Sequence, residues 1–246
     1  MPRIALIHAL ALSVSPIEQA FARGWPEARL MNLLDDSLSA DLSTSGRGLD
    51  AAMAERFHRL SDYAVRAGAD AILFTCSAFG PCIESVARRL APRPVLKPNE
   101  AMIDEAAAWA RRDGRPIGLV ATFAPTLESM PGEFPAGVKL HTALAEGALA
   151  ALQAGDEARH DTLVADAAQR LVNRGCGAIA LAQFSVARAR DAVASRCDVP
   201  VLTTPGSAVA AIRARLGAAA APRPDAGGDL RSGAIASSRD RQPVDH

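Results

Sequence analysis

One segment of the chain nearly repeats itself, and this constrains the fold more than any other feature of the sequence. Residues Ala67–Cys76 return 107 positions later as Arg174–Gln183, and each copy is followed by a helical pattern and then by Pro-Val-Leu. A weaker similarity pairs Arg3–Ile7 with Pro116–Val120. Each half of the chain is therefore predicted to begin with a buried strand and to carry a second one further on. Two similar lobes imply a cleft between them.

The two copies differ at one chemically decisive position. Their register places Cys76 opposite Gln183. A thiolate accepts and a thiol donates protons, whereas a carboxamide only forms hydrogen bonds. The repeat thus predicts a proton-transferring group on one wall of the cleft and a hydrogen-bonding group on the other.

Short apolar runs alternate with helical patterns along the chain. Most runs are apolar at successive positions and do not alternate with polar residues, which is typical of parallel strands covered on both faces. Strands are predicted at Ile4–Ala9, Arg29–Leu34, Ala71–Cys76, Val95–Leu96, Ile117–Thr122, Val138–Leu140, Ala178–Gln183 and Val201–Thr203. Helices are predicted at Pro16–Arg23, Leu49–Arg66, Pro81–Leu90, Glu100–Arg112, Ala143–Gln153, His160–Asn173, Arg188–Ser195 and Pro205–Leu216. This order predicts an α/β fold with two pseudo-symmetric lobes, each a parallel sheet flanked by helices.

The lobes can be assigned to ranges of the chain. Residues 1–98 and 204–216 are predicted to form the first lobe and residues 99–203 the second. The stretch 217–246 has few large apolar residues and is predicted to be a disordered tail. The polar stretch Asp35–Gly46 follows a predicted strand, and we expect it to be a loop that covers the site as a flap.

Composition limits the classes of partner. The 246 residues are 49% hydrophobic, which is enough to bury a full core. Lys plus Arg equal Asp plus Glu at 27 each, so no basic surface is expected for nucleic acid or for an anionic membrane. No apolar stretch approaches the ~18 residues that span a bilayer, and the N-terminus does not resemble a signal peptide. We expect a cytoplasmic protein that binds a small ligand.

The cysteines and histidines argue against a disulfide framework and against a metal site. The four cysteines have unrelated spacings and lie in predicted strands and helices, which indicates reduced thiols: Cys76, Cys82, Cys176 and Cys197. The histidines form no ligand spacing. No glycine-rich dinucleotide or phosphate-binding motif is present, so no nucleotide cofactor is predicted.

Cys76 is the first candidate catalytic residue. It ends an apolar strand, and Pro81 shortly after it suits the first position of a helix. The thiol would then lie near the positive end of a helix dipole, which lowers the pKa of a cysteine. We predict that Cys76 is an acid/base or a nucleophile. The alternative is a small core residue, as most buried cysteines are.

His8 and several hydroxyl residues are the other candidates. His8 closes the first strand and, at the rim of the cleft, would supply the acid or base that Gln183 cannot; the alternative is a structural histidine. Hydroxyls and free backbone amides follow two strand ends in the second half of the chain, where parallel sheets bind ligands. They are predicted to hold a carboxylate or an oxyanion at Thr122, Thr126, Thr204 and Ser207.

Together these features resemble the aspartate/glutamate racemase superfamily, which also includes hydantoin racemases, maleate isomerases and arylmalonate decarboxylases. The resemblance covers residues 3–216 and is carried by the duplicated lobes, by Thr75-Cys76-Ser77, by Ile117–Thr122 with Thr126 and Ser129 after it, and by the second strand that ends at Gln183. It implies a cofactor-independent enzyme that holds a small carboxylate substrate between two lobes. It also allows a homo-oligomer, which no exposed apolar stripe in the chain requires.

The resemblance also implies roles for individual residues. By position, Cys76 is the first-lobe cysteine, and Ser77 follows it where members often offer polar contacts. Thr122 and Thr126 match the carboxylate-binding threonines, with one extra residue between them. His8 lies where glutamate racemases carry an acidic residue. Racemases of the family use two cysteines, one per lobe, to remove a proton from one face of the carbon and return one to the other.

Gln183 departs from this pattern because it replaces the second-lobe cysteine. We expect a racemase or isomerase acting at the carbon α to a carboxylate, with His8 or another cleft group as the second acid/base. One alternative is a decarboxylase of a malonate-type acid, in which Cys76 alone protonates the carbanion. In another, Cys76 is a nucleophile on an unsaturated acid and Gln183 donates to the developing enolate. A non-catalytic carboxylate-binding protein is the alternative from another class.

Overall fold

Within residues 1–220, which the computed structural model describes, eight strands form two parallel sheets. The strands are β1 (Arg3–His8), β2 (Arg29–Leu34), β3 (Ala71–Phe74), β4 (Val95–Leu96), β5 (Ile117–Ala121), β6 (Leu140–Leu144), β7 (Ala178–Leu181) and β8 (Val201–Thr203). The sheets have the strand orders β2-β1-β3-β4 and β6-β5-β7-β8. Both lobes therefore have the same topology, with β5 in the place of β1.

Helices cover both faces of each sheet. They are α1 (Val14–Gly24), α2 (Ser37–Ser45), α3 (Ala51–Arg66), α4 (Gly80–Leu90), α5 (Glu100–Asp113), α6 (Ala124–Ser129), α7 (Ala148–Gln153), α8 (Glu157–Asn173), α9 (Arg190–Ala194) and α10 (Thr204–Ala220). None of these helices is both long and apolar enough to cross a membrane. The predicted fold class, two α/β lobes with parallel sheets flanked by helices, is confirmed.

The central strand β1 shows why the strands are apolar throughout. Successive residues of a strand point to opposite faces of the sheet. Ile4 and Leu6 pack in a buried cluster with α1 and α10. Ala5 and Ile7 pack on the other face, in a cluster with α3 and α4. Because helices cover both faces, no position along the strand is left for a polar residue facing solvent.

In the second lobe, Gly118 allows α8 to approach the sheet closely. A Cβ atom at this position would lie 2.7 Å from Cδ1 of Ile179 and 3.0 Å from Cβ of Leu171, which belongs to α8. These separations are shorter than van der Waals contact, so a side chain here would push the helix away from β5. Glycine inside a strand is typical of such a close approach.

The chain crosses between the lobes twice. It leaves the first sheet through Lys97–Asn99, between β4 and α5, and it returns where β8 leads directly into α10. Helix α10 follows a strand of the second sheet, but it buries Ala208 and Ile212 in the same cluster as Ile4 of β1 and Phe21 of α1. One face of the first sheet is therefore covered by the last helix.

The boundaries differ most from the prediction around β6 and at the C-terminal end. The strand predicted at Val138–Leu140 shares only Leu140 with β6, which runs to Leu144, and the helix predicted over Ala143–Gln153 begins only at Ala148. Alanine favours helices, but pairing with β5 decides the structure of this segment. Helix α10 extends to Ala220, into the predicted tail 217–246; the rest of that prediction lies outside the described residues.

The prediction that Asp35–Gly46 is a loop is wrong, because most of this segment forms helix α2. Leu38 is buried in the core of the first lobe. The guanidinium of Arg56, on α3, forms ion pairs with Asp35 at 2.6 Å and with Asp41 at 2.5 Å. Serine and threonine have weak helix propensity, so tertiary contacts rather than the local sequence stabilise this helix.

Candidate functional site

Cys76 lies just beyond the carboxyl end of β3, at the entrance to a helix. Its backbone is extended, and a short 3-10 turn at Ser77–Phe79 leads from it into α4, whose first turn contains Pro81. All four cysteines are free, but Cys76 is the one that is not fully buried. Cys76 is therefore the most accessible of the four thiols, and it lies at the strand end where the sequence predicts it.

The pKa of Cys76 departs from the prediction. Burial raises the pKa of the thiol, although hydrogen bonds from the Ala78 backbone amide and from the Ser39 hydroxyl lower it. The prediction that the helix N-terminus lowers the pKa of Cys76 is wrong, because the loss of water around the sulfur raises the pKa by more than these donors lower it. The thiol is therefore protonated at neutral pH. Ser39 belongs to α2, so a residue of this helix lies beside the thiol.

The Ser39 hydroxyl gives a prediction about the reactivity of the thiol. In a Ser39→Ala variant the thiolate loses a donor, so we expect the pKa of Cys76 to rise further. The rate of alkylation of Cys76 by iodoacetamide at pH 8 should then fall about fivefold, which corresponds to one hydrogen bond of ordinary net strength. Ser43, on the same helix, bonds only the Ala40 carbonyl. A Ser43→Ala variant should react at the wild-type rate, and equal slowing in both variants would contradict the assignment.

His8 is buried rather than placed at the rim of the cleft. Its side chain is fully buried, and both ring nitrogens have partners: Nδ1 lies 2.9 Å from the Thr75 hydroxyl and Nε2 lies 3.0 Å from Oδ1 of Asn32. The Asn32 amide donates to Glu18 at 2.7 Å, which turns its oxygen toward the histidine. Nε2 of His8 therefore carries the ring proton, and Nδ1 accepts a hydrogen bond from the Thr75 hydroxyl.

Burial also lowers the pKa of His8, although the hydrogen bond with Asn32 and the charge of Glu18 raise it. The ring is therefore neutral in the folded protein at neutral pH, with no free nitrogen directed into the cleft. The first strand ends in a polar residue because Asn32 and Thr75 come from the two neighbouring strands and satisfy it. His8 fixes the hydroxyl of the residue that directly precedes Cys76.

Removing that hydroxyl should destabilise the fold. In a Thr75→Val variant the volume is conserved but Nδ1 of His8 loses its donor, and leaving a buried polar atom unpaired costs about 1–3 kcal/mol. The free energy of unfolding, measured by urea denaturation, should fall by that amount. Thr162 on α8 is the matched control, because its hydroxyl is exposed and bonds the Ala158 carbonyl. Thr162→Val should stay within about 0.5 kcal/mol of wild type.

In the second lobe, Gln183 and Thr122 are joined at the ends of neighbouring strands. Oε1 of Gln183 accepts from the Thr122 backbone amide at 2.8 Å and from its hydroxyl at 3.1 Å. A carboxamide oxygen thus occupies the two donors predicted for a carboxylate, and Nε2 of Gln183 remains as a donor. Thr126 does not join this pair through its backbone amide, which donates to the Phe123 carbonyl at 3.1 Å.

Thr204 and Ser207 are placed in the contact of α10 with the second lobe rather than in the cleft. The fully buried Thr204 hydroxyl donates to the Leu181 carbonyl at 3.1 Å. The Ser207 hydroxyl donates to Oε2 of Glu105, on α5, at 2.6 Å. The sequence predicts that both residues lie near a strand end, but it does not predict on which side of the helix they lie. Their hydroxyls are used to attach α10 to the second lobe.

A cavity of about 200 Å³ adjoins the turn that follows Cys76, where the two lobes meet. We call it the hinge cavity. It is lined by residues of the first lobe, of the connection between lobes and of the second lobe: Ser77, Gly80, Ile83, Lys97, Pro98, Asn99 and Glu133. Of the predicted site residues, Ser77 is the one that lines it. Within residues 1–220, no three His, Cys, Asp or Glu side chains are grouped to hold a metal ion.

Three polar residues of the hinge cavity were not predicted from the sequence. Lys97 and Asn99 lie in the connection between lobes, and Glu133 lies in a 3-10 turn after α6. Lys97 does carry a signal, since it is one of two lysines in a chain whose other basic residues are arginines. Asn99 and Glu133 carry none, because only the arrangement of the lobes brings them together.

Comparisons with known proteins agree with this architecture. The family model described as Asp/Glu/Hydantoin racemase matches residues 15–212. No curated protein sequence matches the chain. Allantoin racemase from Klebsiella pneumoniae is similar in structure, with a TM-score of 0.65 and 18% identity over 89% of each chain. Picrophilus torridus aspartate racemase has a TM-score of 0.62 and 14% identity over 88% of this chain and 95% of its own.

A third solved structure belongs to a protein with a different reaction in its name. The Gly74Cys mutant of arylmalonate decarboxylase has a TM-score of 0.61 and 18% identity, over 91% of this chain and 97% of its own. At these identities the structures show a shared fold. The family model covers most of the chain, from α1 to α10. The chain therefore belongs to the Asp/Glu/hydantoin racemase family.

Proposed function

We propose that the protein is a cofactor-independent isomerase that acts at the carbon α to the carboxylate of a small acid, with Cys76 as its proton-transferring group. The observation that carries this is the placement of Cys76: it is the one cysteine not fully buried, at a central strand end and beside a helix start. Membership of the racemase family supports isomerase-type chemistry.

The proposed step is a proton transfer on carbon. The thiolate of Cys76 removes the α-proton and becomes a thiol, and the electron pair of the C–H bond moves into an enolate of the carboxylate. Donors at the strand ends stabilise this charge, namely the Ser77 hydroxyl and Nε2 of Gln183. Return of a proton to the same carbon completes the cycle. Because burial raises the pKa of Cys76, we expect the rate of proton removal to increase with pH up to that pKa.

Inversion needs a second proton carrier on the opposite face of the carbon. Gln183 cannot ionise, and both ring nitrogens of His8 are engaged. We therefore expect exchange of the α-proton with solvent to be faster than inversion.

The test is proton NMR in deuterium oxide with a panel of small molecules, namely the acids aspartate, glutamate and maleate, and hydantoins as cyclic amides. Loss of the α-proton signal that depends on Cys76 supports the proposal, and chiral chromatography of the same samples gives the rate of inversion. Exchange that persists when Cys76 is replaced would contradict the assignment of the thiol.

A decarboxylase of malonate-type acids is the second candidate, and the raised pKa of Cys76 favours it. Decarboxylation breaks a C–C bond and leaves the electron pair on carbon, so the enzyme must supply one proton and remove none. A thiol that is protonated at neutral pH is suited to that donation, and solvent then reprotonates the thiolate. Release of carbon dioxide from substituted malonates, without α-proton exchange in the monoacid product, would select this candidate over the first.

A further inference from the structure

The hinge cavity offers polar groups from both lobes. Ser77 directly follows Cys76, so the cavity is continuous in sequence with the candidate catalytic turn. Asn99 lines the cavity although the residue is only 8% exposed. It lies close enough to the Glu133 carboxylate to lower the pKa of that group. A buried carboxamide and a carboxylate are therefore neighbours in the lining of the cavity.

The charges around the hinge cavity decide what it can accept. The ammonium of Lys97 is paired with Glu84 at 2.7 Å. Glu100, at the start of α5, is paired with Arg215 at 3.0 Å. Glu133 has no ion pair of its own within 4 Å among the described residues, and partial burial raises its pKa, although Asn99 and Lys97 lower it. The Lys97 ammonium thus faces two carboxylates, Glu84 and Glu133, so an incoming carboxylate would meet an excess of negative charge.

We propose that the hinge cavity is a second recognition site for the substrate of the proposed reaction and that it binds a neutral carboxamide group. The N–H of such a group donates to Glu133, and its carbonyl accepts from Lys97, which has donors beyond the one used by Glu84. A carboxylate in the same place offers no N–H and is repelled by Glu133. This inference rests on the proposed function and names the class of its substrate: acids that carry a carboxamide in addition to the reacting carboxylate.

Two isosteric pairs test this preference: glutamine against glutamate and asparagine against aspartate, each as both enantiomers. Calorimetry on the Cys76→Ala variant measures binding without turnover. We expect the carboxamide member to bind about tenfold more tightly, as one charge-assisted hydrogen bond would give. A Glu133→Gln substitution should reduce this ratio to about two or below, and Lys97→Met should weaken binding of the carboxamide member.

Glu128→Gln is the matched control, since this glutamate is exposed on α6 and does not line the cavity. It should leave the ratio unchanged. Equal ratios in the Glu133→Gln and Glu128→Gln variants, tighter binding of the dicarboxylates, or no binding of either member would overturn the proposal. Binding with the expected ratio but without α-proton exchange by the wild-type protein would retain the subsite and reject the proposed reaction, so the two failures are distinguishable.

Discussion

Replacing Cys76 with alanine is expected to lower turnover by about 10³-fold, because it would remove the proposed proton-transferring group, and general acid–base groups contribute about 10²–10⁴-fold. That loss corresponds to about 4 kcal/mol of transition-state stabilisation. A Cys76→Ser variant should be equally slow, since a hydroxyl at the same place ionises far less readily than a thiol. The measurement is the initial rate of α-proton exchange, or of carbon dioxide release if the malonates respond.

The matched control for Cys76 is Cys197, a buried thiol in the second lobe. Cys197→Ala removes one sulfur atom and should keep the wild-type rate. Calorimetry with the ligand that responds separates the enzyme from a non-catalytic carboxylate-binding protein. Under both hypotheses the Cys76→Ala variant should bind the ligand. A wild-type protein that binds this ligand and shows no turnover would exclude the enzyme and support the binding protein.

Replacing Gln183 with cysteine should increase the rate of inversion about 10²-fold relative to wild type. The variant places a thiol on the strand end that pairs with Cys76 in the internal repeat, so that each face of the carbon has a proton carrier. Exchange of the α-proton should change much less, because the proposed mechanism assigns that step to Cys76. Chiral chromatography and proton NMR on the same samples in deuterium oxide give the two rates separately.

Gln183→Ala is the control for this gain. It also frees the amide and hydroxyl of Thr122 from the Gln183 oxygen, but it adds no thiol. We expect tighter carboxylate binding from this variant and no faster inversion. If alanine accelerated inversion as much as cysteine does, the release of Thr122 and not the new thiol would be responsible. No gain with cysteine would mean that position 183 does not face the reacting carbon opposite Cys76.

The parts of the fold that were predictable are those with a local pattern. Continuous apolar runs such as Ile4–Ile7 and Ala71–Phe74 identify buried parallel strands because both faces of each sheet are covered. Helix α2 lacks such a pattern, since its serines and threonines are poor helix formers. Leu38 and the ion pairs of Arg56 stabilise it, and those contacts come from distant parts of the chain.

The candidate site was predictable at the strand ends and less so in its electrostatics. The repeat identifies Cys76 and Gln183, and Gln183 does bond Thr122. The direction of the pKa shift of Cys76 depends on how much water the fold removes, which no spacing reveals. The burial of His8 likewise depends on Asn32 and Thr75, which reach it only when three strands align. Glu133 enters the site from the other lobe.

The path of α10 has a consequence for how the chain folds as it is synthesised. The first lobe begins at the N-terminus, but Ala208 and Ile212 are needed to cover one face of its sheet. When the first hundred residues leave the ribosome, Ile4 and Leu6 therefore have α1 beside them but still lack α10, the second helix of their cluster. The buried clusters of the second sheet, by contrast, consist of residues that precede α10. The sheet that is made first is thus the sheet that is covered last.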